Sequence, residues 1–197
     1  MHHSRRQLYE ETSTHLGVYC RRIGLTPNFL TGLSLLCAIA SGILFWRGQL
    51  LWGVIGMGFT SLTDMLDGAT ARAGNMGTTF GGILDHVSDR YGEFFILLGL
   101  GMSGHSHPGS AIFALFGMLI ASYTRAAAES IGHLPSCAVG FMGRLEKFTL
   151  IIVGAGLEFF YPGRYILDYA LIVVGAASVV TSVQRLVFAH KELKRRQ

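Results

Sequence analysis

The sequence predicts an all-α integral membrane protein, with six transmembrane helices preceded by a short amphipathic interfacial helix. Three observations lead to this fold class. Half of the 197 residues are hydrophobic and only 14% are charged, whereas a soluble domain is about one-quarter charged. Uncharged runs long enough to cross a bilayer recur along the chain. All four prolines fall at the boundaries of the predicted spans, where a missing N–H group does little harm to a helix.

Six spans are predicted, and several of them extend past an uncharged run to include charged residues. Each span is near the roughly 20 residues that a helix needs to cross the hydrocarbon core. Pro108 divides the charge-free stretch from Phe94 to Thr124, which is too long for one helix. The spans cover residues 29–46, 48–72, 82–103, the run between Pro108 and Arg125, 145–161 and 164–187.

The segment before the first span predicts an interfacial helix. Over about residues 4–22 it combines arginines with apolar side chains such as Leu8 and Val18, a composition suited to the bilayer surface. We therefore expect a single domain over residues 1–197, divided into a juxtamembrane amphipathic segment at 1–26, a six-helix bundle at 27–188 and a basic cytoplasmic tail at 189–197.

Basic residues set the predicted orientation. Lys and Arg cluster before the first span, around the turns after the second and fourth spans, and from Arg185 to the C-terminus, whereas only Arg47 and Arg164 fall on the other side. Cytoplasmic loops carry the excess of Lys and Arg. We therefore expect a multi-pass protein of the cell membrane with both termini in the cytoplasm. The end of span two and the start of span three, which carry aspartates, would face the cytoplasm too.

The charge and cysteine patterns argue against other classes of partner. The net charge of +4 follows the predicted topology and forms no single basic patch, so nucleic acid is not an expected partner. Cys20, Cys37 and Cys137 are scattered and form no metal-binding or redox motif. Membrane lipids are the expected surroundings.

Four aspartates form the most informative pattern. Asp64 and Asp67 stand three residues apart near the end of span two, and Asp85 and Asp89 stand four residues apart in span three. An aspartate within a bilayer costs roughly 2.5–3.5 kcal/mol on insertion scales, so four of them need a compensating charge. Divalent cations supply such a charge, and metals bound to carboxylates commonly serve phosphate chemistry.

The spacing is expected to bring these carboxylates together. Residues three or four apart share one face of a helix, and the short loop at 73–80 makes spans two and three antiparallel neighbours. Two hard cations, Mg²⁺ or Mn²⁺, would then be held about 4 Å apart. Gly68 and Gly81 leave room for a ligand beside them. Arg72 offers a fork for a phosphate oxygen, and Thr78 offers a hydroxyl group.

Two other interpretations of the acidic residues stay open at this point. Carboxylates at helix ends also occur as ordinary interfacial charges. A cation-binding membrane transporter needs carboxylates within the membrane as well. Transport sites are typically near the bilayer midplane, however, and a cation path has no need of Arg72 beside the acids.

These positions also match a family signature. They read D-x2-D-G-x2-A-R-x8-G-x3-D-x3-D, and the residues are Asp64, Asp67, Gly68, Ala71, Arg72, Gly81, Asp85 and Asp89. With this pattern the sequence resembles the CDP-alcohol phosphotransferase family, over nearly the whole chain. The resemblance implies that a hydroxyl group attacks the β-phosphoryl group of a CDP-linked donor, usually a CDP-lipid, and that CMP leaves.

The resemblance further implies a role for each position. Asp64, Asp67 and Asp85 resemble the ligands of a first Mg²⁺ or Mn²⁺ ion. A second ion would be held by Asp64, Asp85 and Asp89, and Asp89 also resembles the catalytic general base. The implied donor-binding residues are Pro27, Asn28, Gly68, Ala71, Arg72, Thr78 and Gly81.

A second resemblance concerns the acceptor alcohol. Residues 122–132 and 139–151 resemble the branch of the family that makes phosphatidylinositol phosphate and archaetidylinositol phosphate. This implies inositol 1-phosphate as the acceptor, with Arg125, Arg144 and Lys147 binding its phosphate. Glycerol 3-phosphate, free inositol and serine stay as alternative acceptors, and a water-soluble CDP-inositol stays as an alternative donor.

Other expectations concern lipid tails, assembly and the charges around the site. The donor carries either diacylglycerol or archaeol tails, and the resemblance implies a homodimer. Ala127 stands where the branch often has a second basic residue. Glu129, one turn after Arg125, is the expected partner of that arginine. Glu93 is expected to bond Arg90 or Tyr123 in a structural role.

Overall fold

The computed structural model describes residues 15–196, and all regular secondary structure in that part of the chain is helical. Residues 15–22 form α1. Residues 4–14 of the predicted amphipathic helix lie outside the described residues. The six longer helices are α2 (Pro27–Trp46), α3 (Leu50–Gly74), α4 (Thr79–Gly101), α5 (Pro108–Ser130), α6 (Arg144–Phe160) and α7 (Ile166–Arg195).

The last helix is longer than the predicted span. The prediction ends at about residue 187, whereas α7 continues to Arg195. No glycine or proline interrupts residues 176–195. Lys194 and Arg195 also favour the negative end of the helix dipole in the last turn. Most of the predicted basic tail is therefore helical.

Three helices in the described part of the chain are long and apolar enough to cross a membrane. They are α2, α5 and α7. α6 has only 17 residues, and α3 and α4 carry the aspartates and arginines that lower their apolar character. Large apolar side chains on the helices also stay exposed, among them Leu36, Phe59, Phe116 and Val183.

The chain divides into two compact units. The first combines the residues up to Ile43 with Ile55–Ile96, and it contains most of α2, α3 and α4. The second combines Leu44–Val54 with the chain from Leu97 onward, and it contains α5, α6 and α7. The four signature aspartates belong to the first unit.

Small residues bring the helices of the first unit into close contact. A side chain at Gly42 of α2 would collide with the backbone of Phe95 on α4. A side chain at Gly17 of α1 would collide with the backbone of Ala69 on α3. The second contact places α1 directly against the turn of α3 that follows Asp67, because helices can approach this closely only where the side chain is absent.

The second unit is built around α7. Gly117 of α5 lies against the backbone of Gly175 on α7. Nearby, the hydroxyl groups of Thr124 and Ser182 are 2.8 Å apart and form a hydrogen bond between the same two helices. α6 packs on the N-terminal end of α7, where a side chain at Gly154 would collide with Ala170. The backbone N–H of Phe141 donates to Oε1 of Gln184 on α7 at 2.8 Å, which holds the segment just before α6. The start of α6 carries two of the predicted acceptor-binding residues.

Glu158, buried near the end of α6, caps the start of α7. Its carboxylate accepts hydrogen bonds from the backbone N–H groups of Gly163 at 2.8 Å and of Ile166 at 2.7 Å. The N-cap residue of α7, Tyr165, has a left-handed φ of 56° and supplies no side-chain cap. Glu158 therefore takes over the role of a capping residue from another helix.

The substitution Glu158→Gln is expected to lower the free energy of unfolding by about 1–3 kcal/mol, because an amide NH₂ group would face backbone N–H donors in a buried site. Thermal unfolding of the purified protein in detergent measures the effect. Glu192→Gln is the control, since the Glu192 pair with Arg195, at 3.1 Å, lies near the exposed end of α7. Equal unfolding temperatures for the two variants would contradict the capping role.

Candidate active site

Three carboxylates converge in the first unit. One oxygen atom from each of Asp64, Asp67 and Asp85 lies within 4.8 Å of the other two. The first two project from one face of α3, and the third comes from α4, which follows after the short turn at 75–78. Hard oxygen ligands at this separation fit a divalent cation such as Mg²⁺ or Mn²⁺. The donor set of the described residues thus matches the predicted metal.

A threonine on α2 orients the most buried of these carboxylates. The Thr31 hydroxyl donates a hydrogen bond of 2.7 Å to Oδ2 of Asp67, and both residues are buried. Partners of this kind fix the direction of a metal-binding carboxylate. Thr31 was not predicted, although it lies only four residues after Pro27, one of the predicted donor-binding residues.

Asp89 lies one turn beyond Asp85 on α4 but is not a member of the group of three. Its Oδ2 atom lies 3.6 Å from Nη2 of Arg90, and its side chain is 16% exposed. The same Arg90 atom is 2.9 Å from Oε1 of Glu93, which confirms the expected Glu93–Arg90 pair. Asp89 is therefore a carboxylate one turn further along α4, partly open to solvent and beside a cation.

The starts of α2 and α4 meet at Gly81. A methyl group there would lie 3.0 Å from Oγ1 of Thr78 and 3.1 Å from Oδ1 of Asn28. The structure thus brings three predicted donor-binding residues together. Thr78 also accepts the backbone N–H of Gly81 at 2.9 Å, so it is the N-cap of α4. Pro27 opens α2, where a proline is well tolerated.

Two helix N-termini at one place favour an anionic ligand. Each N-terminus presents backbone N–H groups and the positive end of a helix dipole. Phosphate groups bind at such positions. The Thr78 hydroxyl accepts one hydrogen bond and keeps its own hydrogen for donation. The meeting point of α2 and α4 is therefore suited to phosphate oxygens.

Arg72 lies over the glycine of the signature. A methyl group on Gly68 would be 3.2 Å from Nη1 of Arg72, so the missing side chain leaves space for the guanidinium group. Arg72 is exposed and Ala71 beside it is half-buried. The end of α3 thus has only small side chains beside Arg72, and the Arg72 guanidinium can donate two hydrogen bonds to a phosphate group.

The predicted acceptor-binding cations belong to the second unit. Near the end of α5, Nε of Arg125 lies 2.9 Å from Oε1 of Glu129, which confirms the expected pair. The same carboxylate oxygen accepts the backbone N–H of Cys137 at 2.8 Å. Glu129 therefore ties Arg125 to the segment at 131–143 that connects α5 with α6.

The first turn of α6 carries the other two cations. Arg144 is the first residue of the helix, and its guanidinium lies 5.1 Å above the ring of Phe148. Lys147, one turn later, is 6% exposed. The N-cap residue Gly143 supplies no side-chain cap. A helix N-terminus flanked by two cations is a second place in the molecule suited to an anion.

Arg185 was predicted only as a charge on the cytoplasmic side. In the structure it lies against the segment at 131–143 that connects α5 with α6. Its Nε donates to the Val139 carbonyl at 2.9 Å, and its Nη1 donates to the Ala121 carbonyl at 2.6 Å. Burial raises the pKa of the neighbouring Cys137 thiol, and Arg185 opposes that rise. The sequence signal that could have indicated this role is a lone arginine within an otherwise apolar run. Arg125 lies in a similar setting.

Comparison with known families decides how these two sites are to be understood. The family model for CDP-alcohol phosphatidyltransferases matches residues 24–188. The chain belongs to this family. It is therefore an integral membrane transferase that releases CMP, and the interpretation as a cation transporter is set aside.

Curated relatives from archaea and bacteria cover most of the chain. The archaetidylinositol phosphate synthase of Methanothermobacter thermautotrophicus is 34% identical over 175 residues, which cover 88% of this chain and 87% of that protein. The phosphatidylinositol phosphate synthase of Mycolicibacterium smegmatis is 35% identical over 190 residues, which cover 92% of this chain and 85% of that protein. Both belong to the branch that the sequence resembles.

Solved structures agree with this assignment. The phosphatidylinositol phosphate synthase of Mycobacterium tuberculosis with CDP-DAG bound is 32% identical, with a TM-score of 0.78 over 90% of this chain and 92% of that chain. A crystal structure of that enzyme in complex with manganese and citrate gives a TM-score of 0.79 and 33% identity, over 90% and 88% of the two chains. Manganese is thus present in a solved structure of similar fold, and the three converging aspartates of this chain are a donor set that suits such a cation.

Proposed function

We propose that this protein transfers a phosphatidyl-type group from a CDP-lipid, either CDP-diacylglycerol or CDP-archaeol, to inositol 1-phosphate and releases CMP. The observation that carries the proposal is the convergence of Asp64, Asp67 and Asp85. The names of the similar proteins support the same reaction, since both are synthases of inositol phosphate lipids. The CDP-DAG bound in a similar structure supports the donor class.

In this proposal the first unit binds the nucleotide end of the donor. The N-termini of α2 and α4 meet at Gly81, with Asn28 and Thr78 at its sides, and they present N–H groups to the diphosphate. Arg72 adds a bidentate donor. Because Gly68 and Ala71 have small or no side chains, the ligand can approach the end of α3 closely.

The four aspartates hold the metal. Asp64, Asp67 and Asp85 hold a first ion, and Asp64, Asp85 and Asp89 hold a second. When bound, the two ions supply the positive charge that stabilises the diphosphate and the departing CMP. Thr31 keeps the Asp67 carboxylate in one orientation through its 2.7 Å hydrogen bond.

Asp89 is the proposed general base. As the acceptor oxygen forms its bond to the β-phosphorus of the donor, the bond between that phosphorus and the oxygen of CMP breaks. The proton of the acceptor hydroxyl becomes acidic during this step, so a carboxylate of ordinary strength can take it. The products are a lipid phosphodiester, CMP and a proton held by Asp89.

The acceptor phosphate is proposed to bind in the second unit. Arg125, Arg144 and Lys147 supply three positive charges there, and the first turn of α6 supplies backbone N–H groups. Arg185, bonded to the same connecting segment, is a fourth cation of this site. A phosphorylated alcohol fits this charge better than free inositol or serine does.

The substitution Arg144→Ala is expected to raise the KM for inositol 1-phosphate by about 10- to 100-fold, the loss typical of a hydrogen bond to a charged group. The KM for the CDP-lipid should stay the same, because the donor is bound elsewhere. Lys191→Ala, which removes an exposed cation from α7, is the control. An unchanged acceptor KM in Arg144→Ala would remove this arginine from the acceptor site.

The membrane arrangement belongs to the proposal as well. Six helices cross the bilayer as one domain over residues 27–188, and α1 lies along the cytoplasmic interface. Both termini and the active site face the cytoplasm, because Lys and Arg gather there. The exposed apolar side chains of the helices contact membrane lipids. The functional form is a homodimer.

A panel of acceptors tests the proposed function. The purified protein is incubated with Mg²⁺, with CDP-diacylglycerol or CDP-archaeol, and with inositol 1-phosphate, glycerol 3-phosphate, inositol or serine. CMP release that depends on inositol 1-phosphate is the expected result. Release with another acceptor alone would keep the aspartate mechanism and overturn the acceptor assignment.

A further inference from the structure

The segment that leads into α6 is held by another helix, because it has no secondary structure of its own. Residues 131–143 contain neither helix nor strand. The N-cap residue Gly143 adds no side-chain cap to the first turn of α6. The position of that turn therefore depends on the contacts that the preceding residues make with α7.

Two side chains of α7 accept consecutive backbone N–H groups of this segment. Oε1 of Gln184 accepts the N–H of Phe141 at 2.8 Å. Oγ1 of Thr181 lies 3.4 Å from the N–H of Met142, a longer and weaker bond. Thr181 donates its own hydrogen to the Ala177 carbonyl at 2.8 Å, so its oxygen acts as an acceptor toward the segment. The bond to Gln184 is therefore the stronger of the two.

The two residues before Phe141 lie against the same face of α7. Gly140 has a φ of 139°, a conformation that favours glycine, and a side chain there would collide with Thr181. Nε of Arg185 donates to the carbonyl of Val139 at 2.9 Å. The α7 residues that make these contacts stand three or four positions apart, so they share one face of the helix. Residues 139–142 thus follow α7 as a strap that ends at the start of α6.

We propose that Gln184 is a positioning residue for the acceptor, which holds residues 139–142 so that the first turn of α6 presents Arg144 and its backbone N–H groups to the acceptor phosphate. This inference rests on the acceptor site proposed above. Gln184 acts through the segment and not by touching the substrate. Productive geometry at a binding site depends on such supporting bonds, because small displacements of the binding groups weaken their contacts.

The residue type suits this role. The Phe141 side chain is 73% exposed, so the backbone bond holds this residue, and burial of the ring does not. A carboxylate at position 184 would also accept the N–H, but it would add a negative charge close to cations that have to attract a phosphate. The glutamine amide supplies the acceptor oxygen without that charge.

Gln184→Met is the first test, because methionine has a similar length and offers only a weak acceptor. The KM for inositol 1-phosphate is expected to rise by about 3- to 10-fold, the effect typical of one neutral hydrogen bond. The kcat and the KM for the CDP-lipid should stay within about twofold of wild type. Val183→Met is the control, since it places the same side chain at an exposed position one residue earlier, and it should leave all three constants unchanged.

Amide hydrogen exchange gives a readout that does not depend on turnover. In the purified protein without substrates, peptides that span residues 138–143 should exchange about 3- to 10-fold faster in Gln184→Met than in wild type, because the Phe141 N–H has lost its acceptor. Peptides from the start of α4, in the first unit, should exchange at the wild-type rate. Equal exchange of residues 138–143 in the two proteins would overturn the holding role.

Gly140→Ala disturbs the same segment independently of Gln184. Its methyl group would collide with Thr181 and disfavour the φ of this position, so the KM for inositol 1-phosphate should rise by about 10-fold or more. An unchanged acceptor KM in both variants, or a loss confined to kcat, would overturn the proposal. Failure of the proposed function is recognised separately, since wild-type protein would then show no CMP release that depends on inositol 1-phosphate.

Discussion

The substitution Asp89→Asn is expected to lower kcat by about 10²- to 10⁴-fold, the range that the loss of a positioned general base costs. Asparagine has the same shape and still accepts hydrogen bonds, but it cannot take the proton of the acceptor hydroxyl. Donor binding should remain, because it depends on the starts of α2 and α4. Initial rates of CMP release and a titration with CDP measure the two effects separately.

A matched aspartate outside the proposed site supplies the control. Asp168 is 6% exposed, and its Oδ1 accepts the backbone N–H of His107 at 2.8 Å. Asp168→Asn keeps that acceptor, so turnover should stay near the wild-type rate. If Asp89→Asn and Asp168→Asn both keep more than about one tenth of the wild-type rate, Asp89 is not the base.

The second large effect is expected for Asp85→Asn. This change removes the negative charge and one of the two oxygen atoms of the residue that α4 contributes to the group of three. Metal ions contribute several kcal/mol to charge stabilisation in such reactions, so kcat should fall by about 10³-fold or more. Mn²⁺ binding should weaken in parallel, and a chelator should inactivate the wild-type enzyme until Mg²⁺ or Mn²⁺ is returned.

The neighbouring histidine is the control for Asp85. Nδ1 of His86 lies 3.9 Å from Oδ2 of Asp85, but the His86 side chain is 73% exposed and is not a member of the group of three. His86→Gln should therefore leave both Mn²⁺ affinity and turnover close to wild type. Equal Mn²⁺ affinity in Asp85→Asn and His86→Gln would contradict the assignment of Asp85 as a ligand.

The arrangement of the aspartates was predictable because it depends on local rules. Asp64 and Asp67 share a helix face by their spacing, and a turn of four residues forces the helix of Asp85 to run back beside them. No long-range information is needed for this convergence. The limits of the helices followed from charge-free runs and prolines, and the error was largest at α7, where no such signal stops the helix.

Contacts between distant segments could not be derived in the same way. Thr31 and Asp67 are 36 residues apart, and their hydrogen bond depends on how α2 packs against α3. Arg185 and Val139 are 46 residues apart, and their bond depends on how α7 holds the segment before α6. Neither pair belongs to a periodic sequence pattern from which its contact could have been predicted.

The lipid tails are the part of the substrate that the sequence describes least. Diacylglycerol and archaeol chains are both apolar, and either would lie against exposed apolar side chains of the helices. Contacts of this kind depend on apolar area and distinguish little between two hydrocarbons. The candidate acceptor alcohols, in contrast, differ in charge. The acceptor assignment therefore depends on the basic residues of the second unit.

The most direct measurement is the stoichiometry of the products. The purified protein is given Mg²⁺, inositol 1-phosphate and either CDP-diacylglycerol or CDP-archaeol, and CMP and the lipid product are quantified together by mass spectrometry. The account predicts that CMP and an inositol phosphate lipid appear in a one-to-one ratio, and that neither appears without the acceptor or the metal. CMP without a new lipid, or no CMP with either donor, would contradict it.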